Sequence, residues 1–487
     1  MLPSTTPTFQ WSRVLTIAIL GFLAGSVAPA EDESADPTVV YEKDGLTVRW
    51  HFQAGLNAPA EENLFWELAE TFAPDAEFDA DAQWLEAYFK PGLSFTRGKE
   101  GGQTFYGKVS AVGSYTSGTD AFDTGDSGEV NLEEAYLGLR GGTEETLLWD
   151  VSLGLRELRL GTGMIIASGG SSGFERGALK FGPRKAWEQA LIVRLAGRGL
   201  TGTFFYIDPN ERPATDGETE LAGIDVRWAA STNQYLGATY VHVLESTSPY
   251  PQAPPGGSGA PVVVPAARGD LNTVTTYGRI LPFDGALQHL FLAADLAIQW
   301  NDRIDLEAWA GRLQAGITFP KRTWSPSWTY TYQTFSGDDP DTSTLERFDP
   351  LFYEGNPNAW STGSKSSMTF INSNVNAHSL AFRVQPTPRD TWTLRYSHIR
   401  ANELRSPIQF GQAARVDVAG PTSNVVSGVT EAHLSDDVFL EYNRVLNRHT
   451  FLSFGAAVSF PGRGIDDAIG RSAPNWTGGF LNIVVNF

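Results

Sequence analysis

Hydrophobic and polar residues alternate along most of the chain with the two-residue period of a β-strand. The last segment shows this clearly, because Ile483 and Val485 fall on one face and Asn482 on the other. Successive side chains of a strand point to opposite sides, so the pattern predicts strands with one apolar and one polar face. In the segment 304–319 the apolar phase shifts near Gly311, which predicts a β-bulge. The alternation recurs in about eighteen segments, which are residues 46–53, 85–90, 105–115, 131–140, 147–156, 188–196, 201–208, 221–228, 235–243, 274–281, 287–300, 304–319, 328–335, 375–384, 391–399, 437–445, 450–460 and 478–487.

The connections between these segments alternate between long and short ones. The long connections are residues 57–84, 161–187, 244–272, 337–374 and 402–435. The short ones are residues 141–145, 197–199, 231–233, 386–390 and 446–449. A barrel whose chain starts in the periplasm has long extracellular loops and short periplasmic turns in this order, whereas a soluble β-sandwich gives no reason for it. The sequence therefore predicts an all-β protein, a transmembrane antiparallel β-barrel, with a soluble all-β protein as the alternative.

The N-terminus has the pattern of a secretory signal peptide. Arg13 precedes an apolar run over residues 14–27, and Ala28-Pro29-Ala30 supplies small residues before the acidic Glu31. An anchoring helix is the alternative, but the run is shorter than the roughly 20 residues that span a bilayer. We predict a signal peptide over residues 1–30 that is cleaved near Ala30, a short acidic periplasmic leader over 31–45, and a single barrel domain over 46–487.

Composition narrows the class of protein further. No later segment offers 18 uninterrupted apolar residues, and the mean hydropathy of -0.21 suits strands that alternate apolar and polar residues. The chain has no Cys, which excludes disulfides and thiolate metal sites. Its net charge of -20 argues against nucleic acid as a partner. The predicted partners are outer-membrane lipid and lipopolysaccharide on the apolar outer face, and the barrel-assembly machinery, which would bind the last strand ending in Phe487.

The polar faces of the strands place charges of both signs in the predicted lumen. Most buried charges need a partner, so ion pairs are the default interpretation for each of them. Guanidiniums that have no such partner would select an anionic solute, because Arg binds carboxylate or phosphate bidentately. The predicted inward cations are Arg49, Lys90, Lys108, Arg140, Arg156, Arg227, Arg383 and Arg395, and the predicted inward acids are Glu86, Glu134, Asp150, Asp225, Asp305 and Glu441.

The connection between the fifth and sixth predicted strands, which would be the third extracellular loop, is basic within an acidic protein. Its cations outnumber Glu157 and Glu175, and its glycines allow the backbone to fold back into the pore. The cations are Arg156, Arg159, Arg176, Lys180, Arg184 and Lys185. The predicted pore and substrate-binding residues are Arg156, Arg159, Arg184, Glu157, Arg140, Arg227 and Arg176.

Three ordered motifs resemble those of the alginate export family of outer-membrane barrels. The first motif is an Arg-rich strand end with Gly161-Thr162-Gly163, followed by Gly182-Pro183-Arg184-Lys185-Ala186-Trp187. The second is Tyr330-Thr331-Tyr332 with Ser336-Gly337-Asp338-Asp339, followed by Phe348-Asp349-Pro350-Leu351-Phe352. The third is His433-Leu434-Ser435-Asp436-Asp437, followed by Phe460-Pro461-Gly462. The resemblance implies a monomeric barrel that passes an acidic polysaccharide or a related small anionic solute. Carried over, the pore positions would be Arg156, Arg159 and Arg184, with Glu157 as their partner. The chain departs from the family pattern at Thr162, where an Asp is expected.

Other function classes remain as alternatives. A general porin or an uptake channel for small anions shares the fold. The seven His residues sit in no nucleophile motif and show no metal-ligand spacing, so we predict neither an enzyme nor a cofactor. The acidic stretches 120–129 and 338–341 offer carboxylates for Ca²⁺, but their spacing does not match an EF-hand and a solvated loop is the simpler interpretation.

Overall fold

The computed structural model describes residues 36–72, 78–98, 102–143, 145–259, 261–355, 360–363, 369–408 and 428–487. The predicted signal peptide and its cleavage site lie outside these residues. Within the predicted leader, the short strand Val39–Lys43 pairs antiparallel with residues 46–49.

Eighteen antiparallel strands form a closed barrel, in agreement with the predicted fold class and number of strands. Each strand pairs with the next along the chain, and the last pairs with the first, as between Val485 and Ala54, so the sheet has no free edge. The strands are β1 (Leu46–Glu62), β2 (Leu85–Gly98), β3 (Thr104–Thr119), β4 (Gly125–Gly141), β5 (Leu148–Arg156), β6 (Trp187–Gly197), β7 (Leu200–Pro209), β8 (Glu220–Ser231), β9 (Gln234–Glu245), β10 (Asn272–Ile280), β11 (Leu290–Asn301), β12 (Leu306–Thr318), β13 (Ser327–Phe335), β14 (Val375–Thr387), β15 (Asp390–Ala401), β16 (His433–Asn447), β17 (Thr450–Pro461) and β18 (Trp476–Asn486).

In the described part of the chain, short helices and further short strands lie in the connections between the barrel strands. The α-helices are Leu68–Phe72 and Arg463–Ile469; the 3-10 helices are Leu64–Glu67, Phe174–Arg176, Pro213–Thr215, Pro255–Gly257 and Gly285–Leu287; the further strands are Ala82–Gln83, Tyr250–Gln252, Val262–Val264, Thr362–Gly363 and Thr369–Phe370. A search of the described residues for a helix with the length and apolarity of a membrane span found none.

The apolar face of the strands points outward. Leu153 on β5 is 65% exposed and Leu236 on β9 is 62% exposed, whereas the inward Ser152 and Thr239 are buried. Trp228, which is also exposed, lies near the periplasmic end of its strand, where aromatic side chains sit at the membrane interface. The barrel is therefore apolar outside and polar inside.

The extracellular half of the lumen is filled by loops that pack against the inner wall. Because of this packing, apolar residues of β12 can face inward, which accounts for the phase shift in its sequence. The register of β12 with both neighbouring strands runs unbroken through Gly311. The predicted bulge there is wrong. The apparent shift arises because the apolar Leu306 and Ala310 face inward and are buried, and Leu306 bridges to Leu345 of the loop that follows β13. The predicted inward position of Asp305 is also wrong, since this residue is exposed in the turn before β12.

Candidate functional site

The connection between β5 and β6, residues 157–186, folds into the lumen and is called loop 3 here. Its backbone is bound by two buried carboxylates of the barrel wall. Glu86 on β2 accepts hydrogen bonds from the backbone N–H groups of Lys180 (2.9 Å) and Phe181 (3.1 Å). Glu133 on β4 accepts one from the N–H of Lys185 at 2.8 Å. One side of loop 3 is thereby held against β2 and β4.

The tip of loop 3 contacts the wall formed by β10 and β11. The hydroxyl of Thr162 donates a hydrogen bond to Asp295 of β11, which also pairs with Arg312 at 2.6 Å. Gly161 lies against the ring of Tyr277, where an added Cβ would come within 2.9 Å, and its φ of +54° also favours glycine. Loop 3 therefore crosses from the β2–β4 wall to the β10–β11 wall.

Loop 3 is joined to loop 7, the connection 336–374 after β13. Ala167 donates its N–H to the carbonyl of Phe352 at 2.9 Å, and Phe352 donates to Ile165 at 3.0 Å. Glu354 adds a third backbone bond, to Gly163, at 2.9 Å. The two loops thus form one connected insert that narrows the lumen.

Two predicted pore arginines lie behind loop 3 rather than on the lumen surface. Arg184 is 1% exposed and donates to Asn131 at 2.6 Å and to the hydroxyl of Ser114 at 2.8 Å. Arg176, also buried, donates to the side chain of Asn210 at 2.9 Å and lies 3.5 Å from Glu129. Their contacts fix loop 3 to β3 and β4 and to the residues after β7.

The other three predicted residues at the start of loop 3 border the lumen. Arg156 stacks on the ring of Tyr136 at 4.7 Å, and its nearest carboxylate, on Asp150, is 3.8 Å away. The exposed side chain of Arg159 pairs with Glu354 of loop 7. Glu157 is exposed too, but its partner is Lys90 of β2 at 3.0 Å rather than one of the arginines.

A row of arginines follows the inner wall from β4 to β10. Arg194, Arg227 and Arg279 each lie seven positions beyond the first residue of β6, β8 and β10. Arg140 of β4 continues the row. Because these strands are every second one, their axes are about 10 Å apart, which is the minimum spacing between successive arginines.

Three of these four guanidiniums, those of Arg140, Arg227 and Arg279, contact aromatic rings instead of acids. Arg140 lies 5.4 Å from the ring centre of Tyr106, Arg227 lies 4.4 Å from that of Tyr235, and Arg279 lies 3.7 Å from that of Phe291. Among the described residues, none of the four has a carboxylate oxygen within 4.0 Å. The Nε atoms of Arg227 and Arg279 are buried and make no hydrogen bond within the described structure.

Sequence reasoning identified Arg140 and Arg227 but missed Arg194 and Arg279. The signal was available in their strands. In β6, Leu191 and Val193 lie on the apolar outer face, so the next residue, Arg194, must face inward. In β10, Tyr277 and Arg279 alternate with outward residues in the same way.

A further extracellular connection, loop 5 (residues 246–271), packs against loop 7. Tyr250 is buried and donates a hydrogen bond to the carbonyl of Phe348. Asp338 accepts backbone hydrogen bonds from Ala253 (2.6 Å) and Glu346 (2.7 Å). Burial raises the pKa of Asp338 to about 6. Loop 5 is thus attached to the same insert as loop 3.

Part of the barrel matches the model of a known protein family. Residues 276–478 match the family model described as alginate export. The resemblance to the alginate export family is confirmed for that region. The match covers β11 to β17 in full and includes loop 7, whereas loop 3 lies before it. None of the curated proteins compared with the chain matches it.

Solved structures agree with the fold of an outer-membrane porin. A double variant of OccD1 (OprD) has a TM-score of 0.50 and 9% identity over 90% of this chain and 95% of that one. OccK2 (OpdF) of Pseudomonas aeruginosa gives 0.48 and 10%, over 90% and 97%. OccAB1 of Acinetobacter baumannii gives the same values. At such identities the likeness to OccD1 speaks for the fold alone. The family match over residues 276–478 and the barrel fold together point to an outer-membrane channel.

Proposed function

We propose that the channel passes anionic solutes along the arginine row, and that an acidic, alginate-like polysaccharide leaving the cell is the first candidate. The observation that carries this proposal is the set of four inward arginines on β4, β6, β8 and β10, none of which has a carboxylate within ion-pair distance among the described residues. The family match supports an acidic polysaccharide as the solute.

The electrostatics of the row suit conduction. A carboxylate 4 Å from a guanidinium gains about 1 kcal/mol in bulk water and about 4 kcal/mol near a protein surface. Each position therefore attracts an anion without holding it for long, and several weak sites in series are what conduction requires. A polymer with a negative charge on each sugar would contact more than one arginine at once.

The constriction supports a second candidate, a channel for small anions. Loop 3 is held on both sides of the lumen and connected to loop 7, which leaves a narrowed path beside it. The charges that border this path are of both signs. They include Lys90, Glu157, Arg159, Lys185 and Glu354. Such a narrow, mixed-charge opening favours monomers or short oligomers over a long chain.

Ion selectivity tests the proposal. The full barrel is placed in a planar bilayer, and the reversal potential is measured in a salt gradient. The triple variant Arg194→Gln, Arg227→Gln and Arg279→Gln should lose most of the anion preference of the wild type. Arg444→Gln is the control, because Arg444 is an exposed arginine that pairs with Asp390 outside the row. A wild type that prefers cations, or a triple variant with unchanged selectivity, contradicts the proposal.

The two candidates differ in what blocks the current. A polysaccharide channel should be blocked by uronic acid oligomers more strongly as they grow longer, whereas a small-anion channel should respond to the monomer and exclude the long oligomers.

The variant Arg184→Ala tests the role of the arginine behind loop 3. Since Arg184 is buried behind loop 3, we expect this variant to change the stability of the loop more than the selectivity.

Three further features remain proposals. We infer that residues 1–30 are removed near Ala30, that the barrel is a monomer, and that the assembly machinery binds the last strand. The contacts of Phe487 support the last point, because its ring stacks on His449 at 4.1 Å and on Trp50 at 5.6 Å at the seam where the barrel closes.

A further inference from the structure

Three potential metal ligands lie together on the outer wall, away from the lumen. His398 is among the last four residues of β15, and His433 and Asp436 are among the first four of β16. His398 shares its face with Leu394 and Tyr396, which are exposed on the outside, whereas Ser397 between them faces inward and is buried. The cluster therefore lies on the outward face at the extracellular end of the barrel.

A β-bulge brings His433 to this face. Asp436 pairs with His398 and Ser435 pairs with Ile399, but the next residue of β15, Arg400, pairs with His433. Leu434 is the extra residue. In a regular strand, residues 433 and 436 would point to opposite faces, because side chains alternate. The bulge re-aims the imidazole so that it joins Asp436.

The ligand atoms are close enough to share one ion. Nδ1 of His398 lies 2.8 Å from Oδ1 of Asp436, and Nε2 of His433 lies 3.0 Å from Oδ2. One ligand atom from each residue lies within 4.8 Å of the other two. Nε2 of His433 is buried and makes no hydrogen bond among the described residues, although a carboxylate oxygen is nearby. This unsatisfied nitrogen is what a metal ion would bind.

We propose that His398, His433 and Asp436 form a site for a divalent transition-metal ion of the Zn²⁺ class. Two imidazoles and one carboxylate match the ligands that Zn²⁺ takes in tetrahedral sites, and they suit Ca²⁺ or Mg²⁺ poorly because those ions prefer oxygen alone. The fourth position opens outward to water. The ion would connect β15 to β16 at the base of the connection 402–432.

The alternative is a set of hydrogen bonds with no ion. Asp436 accepts a hydrogen bond from the hydroxyl of Tyr396 at 2.6 Å, and the imidazole of His398 supplies another. In that case the carboxylate serves only to hold neighbouring side chains, and added metal would have no effect.

Metal titration distinguishes the two. The full chain, without a histidine tag, is purified in detergent, freed of metal with a chelator and titrated with Zn²⁺ by calorimetry and with Co²⁺ by visible absorption. We expect one ion per barrel, a Co²⁺ spectrum of low coordination number, a higher unfolding temperature with Zn²⁺, and no competition from millimolar Ca²⁺.

Single substitutions locate the site. His433→Ala and Asp436→Asn should each weaken Zn²⁺ binding by at least about tenfold. The control is His378→Ala, because His378 faces the same side and pairs with His398 across the strands, yet it is bonded to the hydroxyl of Tyr330 at 2.8 Å and is not one of the three ligands. His433→Gln keeps the size of the side chain and replaces His433→Ala if that variant does not fold, as judged by circular dichroism.

The outcomes are unambiguous. A wild-type barrel that binds neither Zn²⁺ nor Co²⁺ overturns the proposal, and so does a His378→Ala variant that loses as much affinity as His433→Gln. Conductance plays no part in this test, so it stands apart from the function proposed for the lumen.

Discussion

Two adjacent glutamates of β4 give a matched test of how loop 3 is held. A bulge opposite Ser110 and Ala111 turns both Glu133 and Glu134 inward, and both are buried. Glu133 accepts hydrogen bonds from the backbone of Lys185 and pairs with Lys90. Glu134 pairs with Lys108 and accepts a hydrogen bond from the hydroxyl of Ser110 at 3.3 Å, and both of these partners belong to β3 rather than to loop 3. We predict that Glu133→Ala releases loop 3 and that Glu134→Ala does not.

The expected size follows from the bonds that Glu133 makes. It accepts two backbone N–H groups of loop 3, from Lys185 at 2.8 Å and Ala186 at 3.3 Å. A hydrogen bond to a charged group contributes about 1.5–3 kcal/mol, so the two together amount to about 3–6 kcal/mol. Water in the lumen can replace part of this, which leaves about 2–4 kcal/mol. At 1.4 kcal/mol per factor of ten, the detached population of loop 3 should rise by roughly 30- to 700-fold.

Single-channel recording measures this population. Detachment widens the lumen, so the Glu133→Ala barrel should show frequent steps to a higher conductance, and uncharged polymers that the wild type excludes should enter it. The Glu134→Ala barrel should record like the wild type. If both variants open equally, or if neither does, the hydrogen bonds of Glu133 do not hold the loop.

Two further predictions concern loop 5 and the outer face. The pKa of Asp338 is raised from 3.8 to about 6, so the folded state binds the proton of this carboxyl more tightly than the unfolded state does. The attachment of loop 5 should therefore weaken by at most about 3 kcal/mol as the pH rises from about 4 to about 6. Above about pH 6 its strength should stay constant. Proteinase K should therefore cut residues 261–265 faster at pH 8 than at pH 5 in the wild type, and Asp338→Asn should remove this difference. Leu153→Arg places a charge on the lipid-facing side of β5 and should lower the free energy of unfolding from vesicles by up to about 4 kcal/mol, whereas Ser152→Arg on the inner face should not show a lipid-dependent loss.

The strands could be predicted because one physical rule holds along most of their length. Lipid on one side and water on the other impose the two-residue period, and all eighteen segments correspond to strands of the barrel. The rule fails where the inside is not wet. Leu306 and Ala308 of β12 face inward, but they belong to a buried apolar cluster that includes Leu345 and Phe335, so their side chains resemble those of an outer face.

The loop side chains could not be placed in this way. Periodicity says nothing about what a loop residue contacts, so Arg184 was assigned to the pore by resemblance, whereas its partners Asn131 and Ser114 are far away in sequence. Glu157 illustrates the same difficulty. The resemblance makes it the partner of Arg156, Arg159 and Arg184, whereas it pairs with Lys90 of β2.

Three of the inward acids bear on how a protein of net charge -20 presents the arginine row to its lumen. Glu86, Glu133 and Asp295 face inward, but each is bonded to loop 3 and is therefore occupied. Asp295 is further neutralised by Arg312. The arginines of β6, β8 and β10 lie along the wall between these attachment points and have no loop group to bind. The bonds that fix loop 3 across the lumen thus remove negative charge from the path of the solute, so a variant that frees the loop and keeps these three carboxylates should also weaken anion preference.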